Sequence, residues 1–180
     1  MSNLSLSNTQ PTNETETQQF LKFDLDLDIK AMLPIKQITE VLKIQRDRIV
    51  PLPQMPSWVM GVYNWRGDIL WTIDLGHFMG FTPWYQRDTN FSDHNAIILS
   101  PYKNQLQNNS EKNLSLGLVI NQIEDLENCN LHQIQAPDTK AETSSITNYL
   151  IGYWLQADGE IVSVLNGQKI IAAMPNIGDI

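Results

Sequence analysis

The chain reads as an all-β protein, a barrel or a sandwich. Apolar residues recur mostly at every second position, turn signals fall at close intervals between short runs, and no long stretch keeps a helical period. The run "FDLDLDI" sets Phe23, Leu25, Leu27 and Ile29 on one side and Asp24, Asp26 and Asp28 on the other, as a half-buried strand would. "AMLPI" continues as a second extended run ending at Ile35. "ITEVLKI" leaves two templates open: Ile38, Val41, Leu42 and Ile44 fit a helical face, and the same window is short enough for a strand. In "PLPQMP" three prolines forbid a helix and force an extended or turning path.

The runs "WVMGVYNW" and "DILWTIDL" flank Arg66-Gly67 and predict a hairpin, with Gly67 supplying an unusual backbone angle. "NAIILS" and "LSLGLVI" predict a further strand pair on either side of residues 103–113, a polar stretch expected to be a mobile loop. "NYLIGYWLQA" and "EIVSVLN" flank Asp158-Gly159, a two-residue hairpin signal, and Asn166-Gly167 marks one more turn. Short helices fit "DLGHFMG" and the neighbourhood of the C-terminus, and residues 136–145 read as a connection. Residues 1–19 are rich in Ser, Thr, Asn and Gln with almost no large apolar groups, so a disordered tail is expected there.

The 180 residues suit one domain or two small fused barrels, and a hydrophobic share of 42% supplies a real core. The net charge of -8 repels nucleic-acid phosphates. The best basic concentration is Lys36, Lys43, Arg46 and Arg48, interrupted by Glu40 and Asp47. A single cysteine, Cys129, cannot form an internal disulfide and fits a reducing compartment. No apolar run approaches the ~18 residues of a membrane helix. The first residues lack the basic start and apolar centre of a signal peptide. The expected location is the cytoplasm, with no direct membrane insertion.

Reactive constellations are missing from the sequence pattern. His77, His94 and His132 lie far apart, and Cys129 with His132 supplies half a zinc site. Ser92, Asp93 and His94 are chain neighbours and read as a loop, because adjacent residues on an extended segment point apart. Asp68 and Asp74 read as solvated strand ends. These readings favour a binding module over an enzyme, with no catalytic residue, cofactor or metal expected. Trp65, Trp71 and Trp154 read as packing on strands. Trp58 and Trp84, close to prolines, are candidate partner anchors.

The stretch "IVPLPQMPSWVMGVYNWRGDILWTIDLGHFMG" resembles the CheW family of chemotaxis adaptors. Pro53, Pro56, Gly61, Val62, Asn64, Arg66, Gly67, Ile69, Leu70, Ile73, Asp74 and Leu75 fill the family's places in order, and Ile38 and Glu40 match an earlier segment. The resemblance spans residues 20–173, leaving residues 174–180 as a C-terminal tail. Trp65, Trp71-Thr72 and Asn121 depart from the usual pattern. The resemblance implies two five-stranded SH3-like β-barrels packed together. It also implies a non-enzymatic scaffold joining a methyl-accepting chemoreceptor signalling tip to the regulatory domain of a CheA-type histidine kinase, in chemotaxis, phototaxis or pilus-driven motility. Receptor helices are expected in an apolar groove between the barrels. The expected partner-binding residues are Ile38, Glu40, Gly61, Val62, Asn64, Arg66 and Gly67. Arg66 would cap the hairpin beside that groove and hold Glu40 through two parallel hydrogen bonds, while Asn64 would satisfy the turn. The alternative is an SH3-like or OB-like barrel binding other peptides or nucleic acid outside chemotaxis.

Overall fold

The structure, a computed structural model, describes residues 16–87, 93–99, 115–137 and 145–175. The expected loop over 103–113 lies outside these residues, as do nearly all of the expected N-terminal tail and most of the C-terminal one.

The first strand, β1 (Thr17–Asp26), begins three residues before the expected boundary. Thr17, Gln18 and Gln19 pair with Asn130, Cys129 and Asn128, so backbone pairing holds residues whose side chains offer little to bury. At its other end β1 stops at Asp26. Leu27, expected on the buried side, is 90% exposed in the turn to β2 (Ile29–Pro34). The Asp26 carboxylate accepts the Leu27 N–H at 2.9 Å, so an aspartate that looks like half of an alternating strand instead starts the turn.

"ITEVLKI" resolves as a strand, β3 (Ile38–Gln45), with its even-numbered residues inward and its odd-numbered residues exposed. A single 3₁₀ turn, Arg46–Arg48, follows. The expected hairpin is β4 (Val59–Trp65) and β5 (Asp68–Asp74), followed by α1 (Leu75–Phe78). Next come β6 (Asp93–Leu99), β7 (Ser115–Ile120), β8 (Gln122–Asn130), a 3₁₀ turn Leu131–Gln133 and the two-residue β9 (Ile134–Gln135). The chain closes with β10 (Leu150–Leu155), β11 (Ile161–Leu165) and α2 (Gly167–Ala172).

Three local expectations change. Asp93 and His94 open β6 and are not loop residues, because they pair with Gln45 and Ile44. The Asp158-Gly159 connection spans residues 156–160, closed by Gln156 N–H to Glu160 C=O at 2.8 Å. Asp158 accepts the Glu160 N–H and holds the loop at this wider size. Asn166 is a helix cap, accepting the N–H groups of Gln168 and Lys169.

The strands form two sheets, ordered β3-β6-β7-β5-β4 and β8-β1-β2-β11-β10-β9. Each closes on itself in the same way. In the first, the chain leaving β3 passes through Arg46–Arg48, and Val50 pairs with Val62 of β4 by two backbone bonds of 2.8 and 2.9 Å. In the second, the chain leaving β8 passes through Leu131–Gln133, and β9 pairs with β10. The β5–β7 and β11–β2 pairs are parallel and the other ladders antiparallel, so β3 to β7 correspond to β8, β10, β11, β1 and β2. The fold is thus two five-stranded barrels, with β9 an extra short strand standing where Val50 stands in the other. The barrel of β3 to β7 is contiguous in sequence. The other is split around it.

The split explains the burial pattern. One apolar face of each sheet fills its own barrel: Phe20, Met32, Cys129, Val162 and Val164 in one, Ile44, Ala96 and Val119 in the other. The opposite faces meet in a shared core. Leu21, Phe23 and Leu33 of the split barrel lie there with Trp71, Ile73, Ile97, Leu99 and Leu118 of the contiguous one. Strands between two apolar layers lose polar alternation, so β6 and β7 read as near-continuous apolar runs.

Candidate partner-binding site

The β4–β5 turn has only two central residues, and both take positive φ: Arg66 at 54° and Gly67 at 91°. That is the type I′ geometry whose twist matches the strands. Glycine adopts it freely, whereas arginine does so at a cost. Asn64 Oδ1 accepts the Gly67 N–H at 3.1 Å and supports the turn from within. The Arg66 guanidinium lies 5.4 Å from the centre of the Trp65 ring. It also reaches Glu40 on β3, with Nη2 at 2.9 Å from each carboxylate oxygen. One nitrogen shared by two oxygens replaces the two parallel bonds expected. The pair links β3 and the β4–β5 turn, the two ends of one sheet, and the Arg66 side chain stays 70% exposed.

Gly61 and Val62 sit deeper, at the closure. A Cβ on Gly61 would lie 2.2 Å from the Val50 carbonyl oxygen, so only glycine lets Val50 cross. Gly152 on β10 repeats this, with a Cβ position 2.3 Å from Gln135 O. The Thr72 hydroxyl donates to Gly61 O at 2.9 Å from a buried position. Val62 and Ile38 are half-buried against the shared core. The seven expected residues thus fall into three places: a hairpin cluster of Glu40, Asn64, Arg66 and Gly67; the closure at Gly61 and Val62; and Ile38 at the core margin.

A small apolar cleft opens near the other end of the hairpin, lined by Met55, Val59, Trp71, Ile73, Leu116, Met174 and Pro175. Neither Glu40 nor Arg66 lines it: the hairpin tip carries the ion pair and the hairpin base faces this cleft.

Asp74 is 1% exposed and not a solvated strand end. It caps α1 through the His77 N–H, accepts the Trp84 N–H at 2.7 Å and pairs with Arg87 at 3.2 Å. Arg87 also donates to Thr82 O and to the side chain of Asn121, the position that departs from the family pattern. Trp58 packs edge-on against Phe78, which meets Tyr149 of the split barrel. Trp84 lies between Arg46, 4.4 Å from its ring centre, and His94, at 5.4 Å between centres. Nothing in the sequence placed Arg87 or Arg46 in these contacts, because both partners are distant in the chain.

Burial pushes the Cys129 thiol above its ordinary range, aided by the charge of Glu127, so it is a poor nucleophile. Among the described residues no group of three or more His, Cys, Asp or Glu is arranged to hold a metal, and no helix is long and apolar enough to cross a membrane.

Two barrels sharing one core, with an ion-paired hairpin and an apolar cleft on the outside, define a docking module. A model of the CheW-like domain matches residues 19–174, and the chain belongs to that family. Protein FrzA of Myxococcus xanthus is 36% identical over 62 residues, which cover 34% of this chain and 37% of FrzA. The match therefore spans just over a third of that relative. The crystal structure of the scaffolding protein TtCheW from Thermoanaerobacter tengcongensis superposes with a TM-score of 0.65 at 20% identity, covering 83% of this chain and 88% of that one.

Proposed function

We propose that the protein is a non-enzymatic adaptor in the cytoplasm that couples a chemoreceptor signalling tip to the regulatory domain of a CheA-type histidine kinase. The family match over residues 19–174 carries this reading. The hairpin supports it: Arg66 and Glu40 fix the shape of an outward turn, and so exposed a pair contributes only about 0–1 kcal/mol to stability. Its use is to present a surface. The apolar cleft supplies a place for an apolar helix face, the usual complement of such a groove.

The test is a pull-down with the kinase regulatory domain and, separately, with the cytoplasmic fragment of a receptor from the same organism. Arg66→Ala and Glu40→Ala weaken retention while the unfolding midpoint moves by no more than a few degrees. The charge-exchanged double variant, E40R with R66E, recovers part of it. Undiminished retention by both single variants refutes the assignment of the hairpin, and absence of retention by the unmodified protein refutes the adaptor reading.

A further inference from the structure

The protein's charges are unevenly arranged. Lys22, Lys30, Arg66 and Arg87 are ion-paired, and Lys169 donates to Leu150 O. The other described cations are Lys36, Lys43, Arg46 and Arg48. All four are exposed, all lie on β3 or the 3₁₀ turns at its ends, and none has an ion pair among the described residues. In a chain of net charge -8 this is a concentration of free positive charge on one strand.

One member is held in place. The Arg46 guanidinium stacks on Trp84, which also packs against His94 and Tyr85. Burial, and then the charge of Arg46, lowers the His94 pKa, so Arg46 is the cation of that stack at neutral pH. A stacked guanidinium has lost part of its rotational freedom, so less is lost when it binds a carboxylate. Apolar surface lies alongside: Tyr85, packed edge-on to Trp84, is 54% exposed.

We infer that the turn after β3, Arg46 and Arg48 with Trp84 and Tyr85, docks an acidic segment of another protein, with Arg46 receiving an Asp or Glu carboxylate. A long polyanion or an anionic membrane also meets the acidic remainder of a chain of net charge -8, whereas a short segment spans little beyond the turn that carries Arg46 and Arg48. The exposed Tyr85 suits a side chain rather than a phosphate backbone.

The experiment is a fluorescence-anisotropy titration with a labelled peptide alternating Glu with Ala and Phe, and with its Gln counterpart. The acidic peptide binds and the Gln peptide does not, the Trp84 indole N–H signal shifts on titration, and affinity falls with added salt. Arg46→Ala and Arg48→Ala each weaken binding by about tenfold, as loss of a charge-assisted hydrogen bond would. Arg46→Lys keeps the charge but loses the planar stack, and it weakens binding nearly as much as the alanine variant. Lys169→Gln leaves binding within twofold. Absence of saturable binding, an Arg46→Lys variant equal to the unmodified protein, or tighter Arg46-dependent binding to single-stranded DNA or phosphatidylglycerol vesicles would each overturn the inference.

Discussion

Replacing Gly61 with alanine tests the crossing that closes the contiguous barrel. The added Cβ would lie 2.2 Å from Val50 O, 2.7 Å from Val50 C and 2.9 Å from the Pro51 Cα. An unstrained carbon–oxygen contact is about 3.3 Å, so the Val50 carbonyl must recede by roughly 1 Å. That carbonyl accepts the Val62 N–H, and the Val50 N–H donates back to Val62 O. Losing both bonds costs about 2 kcal/mol. Holding an alanine at φ +139° adds about 1–3 kcal/mol. The sum is about 3–5 kcal/mol, a fall in midpoint on the order of 10 °C for a chain of this length. Urea unfolding followed by tryptophan fluorescence measures it. Gly67→Ala is the comparison, at φ +91° with nothing within 4 Å of its Cβ position, and it costs about 1 kcal/mol. Gly152→Ala meets a similar clash on Gln135 O but without a positive φ, so it costs less than Gly61→Ala and more than Gly67→Ala. A Gly61→Ala variant within 1 kcal/mol of the unmodified protein, or no worse than Gly67→Ala, refutes the closure argument.

Arg87→Met leaves the buried Asp74 carboxylate with two backbone donors and no counter-charge. Chemical denaturation should show a loss of about 2–4 kcal/mol, somewhat below a fully stranded charge. His94 gains protons less readily folded than unfolded, through burial and then Arg46. Stability is therefore flat above the ordinary histidine pKa of 6.5 and declines as pH drops below it, and His94→Gln removes that slope in a pH series of unfolding curves. At Glu124, burial alone would raise the pKa, but hydrogen bonds from Lys30 and Lys22 outweigh it and the net shift is downward. Its contribution is present above the ordinary value of 4.5 and is lost as pH falls through the folded value, so Glu124→Gln flattens the acid limb of the same series.

What could be read from sequence was what chain neighbours determine. The Arg66-Gly67 hairpin, the runs that became β4, β5, β10 and β11, and the two short helices follow from local alternation, turn chemistry and capping residues. The errors arose where one local pattern serves two structures. "FDLDLDI" alternates throughout, yet Asp26 captures the Leu27 N–H and ends the strand. The sequence pattern alone held no clue to Glu40 meeting Arg66, which came from resemblance, because 26 positions separate them. Asp74 looked like any strand end because its counter-ion, Arg87, sits in a segment with no periodic signal. The closure at Gly61 depended on Val50, which reaches β4 only after the proline-rich segment has been folded back.

The split of one barrel around the other has a consequence for synthesis. As the chain leaves the ribosome, β1 and β2 emerge first, but their sheet neighbours β8 and β11 are among the last strands made. The barrel of β3 to β7 can complete all its ladders in between. The early hairpin must therefore wait beside a finished neighbour, its apolar side sheltered by Trp71, Ile73 and Leu118, until the final third of the polypeptide arrives to enclose it.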